Sequence, residues 1–494
     1  MNDQTRLQTS SLSDEDAKDL EQLGYRQELS RNLSLFSNFA IAFSFISATT
    51  GIFSLFGYGL TTGGPAFIWS WPIVFIGQLL VALAMAEVAS HYPIAGSIYQ
   101  WGKHLVGEGY GWIAGWIYLV ALLATVAAVD FGGAPYVAQL LGLPASSHGV
   151  LVAVTAGMVI LQTIINILGV RLIAIINNIG MFAEVVAMIV LAGALFAAGV
   201  HHPVSFVFET AGTGAGGSYL PVFLAAMLTS MWVLYGFDSA GSLAEEVKHP
   251  RLAVPKAILS ALGLTFVIGA AALLAFILGI PDLQTAMKSD VPLTYILQSD
   301  LGDTVANGFI IIAALAIFVC GTAVQATVSR LLFSLGRDRK IPGSKLWVHL
   351  AQPYETPAAA LIFSGAVTIL LSLSASAEAY IVNVCVVGIY LAYLSVPLGG
   401  LIAKARGWKS NTSPWNLGSW SLPVHLLAAC WGIFAIINLC WPRSPDSPWY
   451  VNYSVPLLAA VVLVIGGLYY QFAVRPRALV MDGIEAASQE TDAD

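Results

Sequence analysis

Two stretches, Ser47-Ala48-Thr49-Thr50-Gly51-Ile52-Phe53 and Trp232-Val233-Leu234-Tyr235-Gly236-Phe237-Asp238, each interrupt a long apolar segment near its middle. A helix stopped inside hydrocarbon leaves backbone N–H and C=O groups without partners, which is tolerated only where the break is buried or lines a cavity. The matched pair therefore predicts an all-α membrane protein whose first and sixth spans break around a binding site.

Composition supports the membrane reading. Of 494 residues, 57% are hydrophobic and 10% charged, and mean hydropathy is +0.78, whereas soluble domains are roughly 25% charged. Apolar stretches long enough for a span, about 20 helical residues, lie at 34–58, 65–89, 109–141, 150–169, 172–199, 219–246, 254–280, 302–335, 357–373, 378–402, 421–440 and 450–473. With twelve spans and a cytoplasmic amino terminus, every Lys and Arg except Lys288 and Arg443 falls inside, as the positive-inside rule requires. That parity predicts a multi-pass protein of the plasma or inner membrane with both termini cytoplasmic. Residues 1–33 are polar, mildly acidic and without a secretory signal pattern, and read as a disordered or surface-lying tail. The expected organisation is a first five-helix repeat over 34–199, a second over 219–402, peripheral helices over 421–473 and a cytoplasmic tail over 474–494. The net charge of −7 reflects tails and outer loops and points to no nucleic acid.

Several chemistries are excluded by pattern. No G-x-x-x-x-G-K-[ST] stretch exists, so the chain carries no P-loop to hydrolyse ATP, and uphill movement must draw on ion or solute gradients. The run Ala-Gly-Thr-Gly-Ala-Gly-Gly at 211–217 follows no strand and reads as an outer linker, not a dinucleotide loop. Cys320, Cys385, Cys430 and Cys440 lack metal-site spacing and read as small buried residues. The histidines form no H-E-x-x-H pair, and the His201-His202 doublet reads as an outer-loop surface pair. A membrane enzyme lacks its nucleophile or metal constellation here. A channel or a non-transporting sensor fits the same spans, although the short tails leave no room for an output domain.

Longer motifs then become recognisable. Leu23-Gly24-Tyr25 with Glu28-Leu29 and Arg31, Ser44 to Gly51, Phe56-Gly57-Tyr58-Gly59-Leu60 and Gly63-Gly64-Pro65 resemble the amino acid/choline branch of the APC transporters, which holds GABA and choline permeases. Ala86-Glu87-Val88-Ala89-Ser90 with Tyr92-Pro93 resembles that family's segment between spans 2 and 3, and Trp232 to Asp238 with Glu245-Glu246 its sixth span and following loop. Ser329-Arg330 and Gly336-Arg337-Asp338 match the end of its eighth. The resemblance implies a LeuT-like 5+5 inverted repeat with two peripheral helices, and alternating-access transport of an amino acid or related amine such as GABA.

By the same resemblance, N–H groups of Thr49, Thr50 and Gly51 hold a substrate carboxylate, with Ser47 and Ile52 beside them, and carbonyls around Tyr235 and Gly236 accept from its ammonium. The physics agrees, since the positive end of a half-helix favours an anion and unwound carbonyls favour a cation. Trp232 and Phe237 would border the cavity, where aromatic faces shield a chain or attract a quaternary ammonium. Choline, ethanolamine, polyamines and amino acid exchange stay open.

Three acids lie inside spans, where a carboxylate costs at least about 2.5 kcal/mol: Asp130, Glu184 and Asp238. Glu184 stands where many cationic-amino-acid relatives carry Lys, so it is a candidate proton carrier, as is Asp130. Asp238 is expected to cap the resumed sixth helix. Ser329, with Ser47 and Ala48, sits where sodium-coupled members of the fold place a cation, so the coupling ion is H+ in the main reading and Na+ in the lesser one; no cofactor or metal is implied. Glu87, Glu245 and Glu246 are candidates for cytoplasmic gate salt bridges or solvated surface. The sequence says nothing of assembly.

Overall fold

A computed structural model describes residues 16–214, 217–289, 291–374 and 378–476. Residues 1–15 and 477–494, from the two tails, and part of the Gly-rich run lie outside the described residues. In order the helices are α1 (16–22), α2 (Leu35–Ile46), α3 (Ala48–Gly63), α4 (Ser70–His91), α5 (Ile98–Leu105), α6 (Glu108–Leu140), α7 (His148–Ile167), α8 (Val170–Ala198), α9 (Tyr219–Val233), α10 (Ser239–Ser242), α11 (Pro250–Leu278), α12 (Leu283–Lys288), α13 (Pro292–Arg337), α14 (Ser344–Trp347), α15 (Ala358–Ser372), α16 (Glu378–Ala405), α17 (Ser421–Cys440), α18 (Trp449–Asn452) and α19 (Ser454–Tyr469). Among the described residues ten helical stretches are long and apolar enough to cross a membrane, and α9 and α15 are shorter apolar helices. This is an all-helical integral membrane fold.

Starts and stops follow local chemistry. Ser34 caps α2 by accepting the Ser37 N–H at 3.1 Å, and Pro250 and Pro292 open α11 and α13, where their missing N–H would have had no partner. Gly302, at φ 75°, kinks α13 just where the eighth span was expected to begin.

The packing is ordered about the two broken spans. The pair α2/α3 packs on α9, α8, α11 and α13; α4 packs on α11; α6 packs on α16 and α13; α13 packs on α8; and α7 packs on α15. The breaks thus sit in the middle of the bundle, walled by α6, α8, α13 and α16. Outward faces of α8, α17 and α19 are exposed and apolar, with Phe182, Ile179, Leu427 and Val464 among their side chains, as lipid contact requires. Cys320 and Cys385 are buried as expected; Cys430 is exposed and Cys440 half-buried, because they lie on α17, which has lipid on one side.

Of the tail expected to be disordered or surface-lying, the described segment 16–33 lies on the bundle. Leu33 pairs with Val247 in a short parallel bridge, its N–H reaching the Glu246 carbonyl at 2.8 Å. Leu29 is buried with Ala95 and Phe333. Asp16 pairs with Arg31 at 3.3 Å and Asp19 with Arg251 at 2.9 Å. Asp16, Asp19 and Arg31 thus find partners within the segment and on the loop and helix beside it, and the strap lies across one end of the bundle.

Candidate functional site

The first break is one residue wide. Ser47 adopts φ 32°, while Ala48 onward is helical, so Thr49, Thr50, Gly51, Ile52 and Phe53 belong to α3 and not to an unwound stretch. The reason is capping: Ser47 Oγ accepts the Thr50 N–H at 3.1 Å, and the Ser47 carbonyl accepts the Gly51 N–H at 3.1 Å. Glu184 on α8 completes the cap. Its Oε1 accepts the Thr49 N–H at 3.0 Å and the Ser47 hydroxyl at 2.9 Å. The three N–H groups expected to hold a substrate carboxylate are therefore engaged by the chain itself, one of them by its own carboxylate.

The second break is wider. α9 ends at Val233, residues 234–238 are unwound, and α10 starts at Ser239. Gly236 adopts φ 106° and passes so close to Phe45 that an added Cβ would lie 2.0 Å from the ring. Its N–H donates to the Tyr393 hydroxyl at 2.7 Å, and its carbonyl accepts from the N–H and hydroxyl of Ser239, at 3.1 and 2.7 Å. The Gly236 carbonyl expected to serve an ammonium is thus occupied. Asp238 makes no side-chain cap of α10. Its carboxylate accepts from Tyr393 at 2.5 Å, from Tyr118 and, at 3.4 Å, from Ser97. Two phenols from α6 and α16 outcompete the local cap.

Between the breaks lies a small cavity of about 10 Å³ lined by Phe45, Ile46, Thr50, Gly51, Thr125, Val129, Trp232, Tyr235 and Cys320. It has room for about one water, against roughly 300–1,000 Å³ for a ligand pocket, so a solute enters only if the half-helices part. Trp232 and Tyr235 meet edge to face at 6.0 Å on one wall. Ile52 and Phe237 are not on it: Ile52 packs in the core, and Phe237 lies against the Tyr393 ring at 5.1 Å. Thr125 was not singled out from the sequence, and Cys320 was read only as a small buried residue. A hydroxyl and a thiol within apolar runs, on α6 and α13, were the available signal.

The other coupling candidates separate. Asp130 is buried; its Oδ1 accepts from Gln162 at 2.7 Å and its Oδ2 has no partner. Gly321 makes room for this contact, since a Cβ there would lie 2.4 Å from Gln162 and 2.6 Å from Asp130. Ser329 donates to the Ala326 carbonyl at 2.7 Å and accepts from the Arg330 guanidinium at 2.9 Å. A hydroxyl bonded back to its own helix and facing an arginine is a poor ligand for a cation, which counts against the sodium arrangement drawn from Ser329.

The three outlying acids are buried ion-pair partners rather than solvated surface. Glu246 holds Arg330 through two contacts of 2.8 and 3.1 Å, and Glu245 holds Arg337 through two of 2.7 and 3.0 Å while accepting the Ala95 N–H at 3.0 Å. Glu87 accepts from Ser421 and, at 2.9 Å, from the Leu417 N–H, with His425 at 3.2 Å and Lys404 at 3.7 Å. The strap joins this layer through Tyr25, whose ring lies 4.1 Å from the Arg337 guanidinium and whose hydroxyl donates to Asp338 at 3.0 Å. Lys103 reaches Asp338 at 2.6 Å. Burial works against both charges, yet their mutual attraction outweighs it, holding Lys103 above its ordinary pKa and Asp338 below its own.

A family model described as amino acid permease matches residues 33–465. The chain is 26% identical to amino-acid permease BAT1 of Arabidopsis thaliana, over 92% of this chain and 94% of that one. It is 29% identical to amino-acid permease 2 of Neurospora crassa, over 92% and 87% respectively. It is 27% identical to the GABA-specific permease of Saccharomyces cerevisiae, over 92% and 83%. Broken spans meeting at a buried cavity, inside an apolar bundle that this family's model matches over most of its length, identify the chain as a membrane transporter belonging to the amino acid permease family.

Proposed function

We propose that this permease carries an amino acid or a close relative such as GABA across the plasma or inner membrane by alternating access, in symport with protons. The observation that carries the reading is the cavity where Thr50 and Gly51 face Trp232 and Tyr235 across the two breaks. Thr49, Thr50 and Gly51 would receive the carboxylate once the half-helices part, and carbonyls about Tyr235 the ammonium. Glu184 and Asp130 are the acids placed to carry the proton. The strap end is cytoplasmic in this reading, with Glu87, Glu245 and Glu246 in its gate layer.

The twelve-span inverted repeat belongs to the same proposal. Its support is that contacts recur when span n is exchanged with span n + 5: α6 on α16 mirrors α13 on α8, α6 on α7 mirrors α13 on α15, and α7 on α13 mirrors α15 on α6. Spans 11 and 12, α17 and α19, stand outside that exchange.

Uptake into liposomes holding the purified protein tests it, using labelled GABA, α-amino acids, choline, ethanolamine and putrescine with and without an inward proton gradient. Uptake of a carboxylate-bearing solute that rises with the gradient is the expected result. Transport of choline or amines alone would overturn it. That second reading has one observation in its favour: Glu184 already supplies an anion to α3.

A further inference from the structure

Glu184 and a substrate carboxylate would draw on one resource. The amino end of α3 is a half-helix terminus whose N–H groups and dipole favour a single negative charge. Glu184 approaches it from α8, taking Thr49 N–H and the Ser47 hydroxyl. The cavity touches the same turn through Thr50 and Gly51, and neither Glu184 nor Thr49 is on its wall. The Ser47 hydroxyl joins the two faces, since it donates to Glu184 and accepts the Thr50 N–H. A second anion at Thr50 and Gly51 would share one short helix turn with the first, in a low-dielectric interior where like charges repel strongly.

Among the described residues of the elements packed on α8, no cation is turned to Glu184 to neutralise two carboxylates. Thr49 and Ser47 are the groups bonded to Glu184. Of the elements packed on α8, α13 contributes the Cys320 thiol, which Asp130 on α6 also faces, and neither is a cation. On α11 the cation Arg251 is turned to Asp19 at the strap end, and Lys256 lies one helical turn further along the same end of that helix. On α13 the cations Arg330 and Arg337 are held by Glu246 and Glu245, Arg171 of α8 itself is exposed in that helix's first turn, and α2 and α7 bring no Lys or Arg.

We propose that Glu184 is an intramolecular rival of the substrate carboxylate, so that each carboxylate-bearing solute binds together with one proton on Glu184, whereas the same solute without its carboxylate binds without one. This deepens the proposed function and rests on it. The proton comes from water on the side where the solute enters; it bonds to a Glu184 oxygen as the Thr49 N–H and Ser47 hydroxyl are released to the solute. One residue then sets both the coupling stoichiometry and the preference between amino acids and amines.

The experiment is direct binding to the purified protein between pH 5.5 and 8, pairing radiolabelled GABA with propylamine and alanine with ethylamine, each solute without its carboxylate. Above the pH at which Glu184 of the free protein takes up its own proton, wild-type affinity for the carboxylated member rises about tenfold per unit fall in pH, as one linked proton requires, with up to one proton taken up per molecule bound in weak buffer; the amine shows neither. Glu184→Gln, which keeps the shape and mimics the protonated acid, binds the amino acid with no slope and no proton uptake. Proton uptake that persists in Glu184→Gln overturns the assignment. So does a wild-type affinity that is the same at every pH, or an equal slope for both members of a pair; these readings need no variant and hold if Glu184→Gln fails to fold. Binding of amines with no carboxylated solute bound at all overturns the amino acid reading itself, and the inference with it, whereas carboxylate binding without proton uptake overturns the inference alone.

Discussion

The Tyr393 hydroxyl donates to Asp238 at 2.5 Å while accepting the Gly236 N–H at 2.7 Å, so one phenol on α16 holds both the donor and the acid of the second break. Tyr393→Phe leaves a buried N–H unpaired, which costs about 1–3 kcal/mol. The variant is expected to unfold at lower temperature and to show a raised KM for uptake. Tyr118→Phe keeps the Tyr393 contact and should be milder, and the double variant worse than the sum of the two, because they share one acid. Thermal unfolding of the four proteins in one detergent measures this; additive losses would separate the two phenols.

Gly51, in the first turn of α3, lies close against Val233 at the end of α9. An alanine Cβ at 51 would lie 2.5 Å from Val233 Cγ2, with Cγ1 at 3.1 Å. Gly51→Ala should therefore cut uptake severely, and Val233→Ala added to it should restore part, since both crowding γ-carbons go. Gly236→Ala has no such suppressor, because its Cβ meets the Phe45 ring at 2.0 Å and its φ of 106° disfavours any side chain. Uptake by the three variants at equal expression decides the point.

The Arg330–Glu246 pair is buried to 0% and 2% side-chain exposure. Removing one member strands a charge, and Arg330→Met is expected to lose about 3–5 kcal/mol. Arg330→Met combined with Glu246→Leu should recover most of this, because an apolar pair of similar volume is often no worse than an ion pair. Equal instability in the single and double variants would show that the guanidinium holds Ser329 and α13 in a way the apolar pair cannot.

Docking of the strap depends on pH in a direction set by Asp338 and Lys103. The Asp338 carboxyl sits below its ordinary value of 3.8, so its contribution is complete above that value and is lost as pH falls through the lower folded value. The Lys103 ammonium sits above its ordinary 10.5, so its contribution is complete below that value and is lost as pH rises through the higher folded one. The strap should stay docked across the whole neutral range, and Asp338→Asn should loosen it at pH 7. A fluorophore on Glu28→Cys, an exposed strap position, reports this by its mobility; unchanged mobility in Asp338→Asn would refute it.

Parts of the site were legible because they break a rule that hydrocarbon enforces. Gly236 at a positive φ and the pivot at Ser47 both fall inside the quoted stretches. Their extent was not legible: Thr49 to Phe53 read as unwound, yet Ser47 and Glu184 supply the caps that keep them helical. Tyr118 and Tyr393 were missed because tyrosine in a span ordinarily signals an interface, and nothing in the local sequence tells a phenol that faces Asp238. The docking partners of the strap were not legible for the opposite reason, since Asp16, Asp19 and Arg31 look solvated until Arg251 and the Val247 carbonyl are placed beside them.

By itself the sequence determined that this chain crosses a membrane as helices and where two of them stop, because those outcomes depend on local hydropathy and on backbone groups that lipid cannot satisfy. The tertiary structure alone decided what satisfies them. Thr49 and Glu184 are 135 positions apart, and Gly236 and Tyr393 are 157 apart; a hydrogen bond acts over about 3 Å, so its partners are chosen by packing and not by the order of the chain.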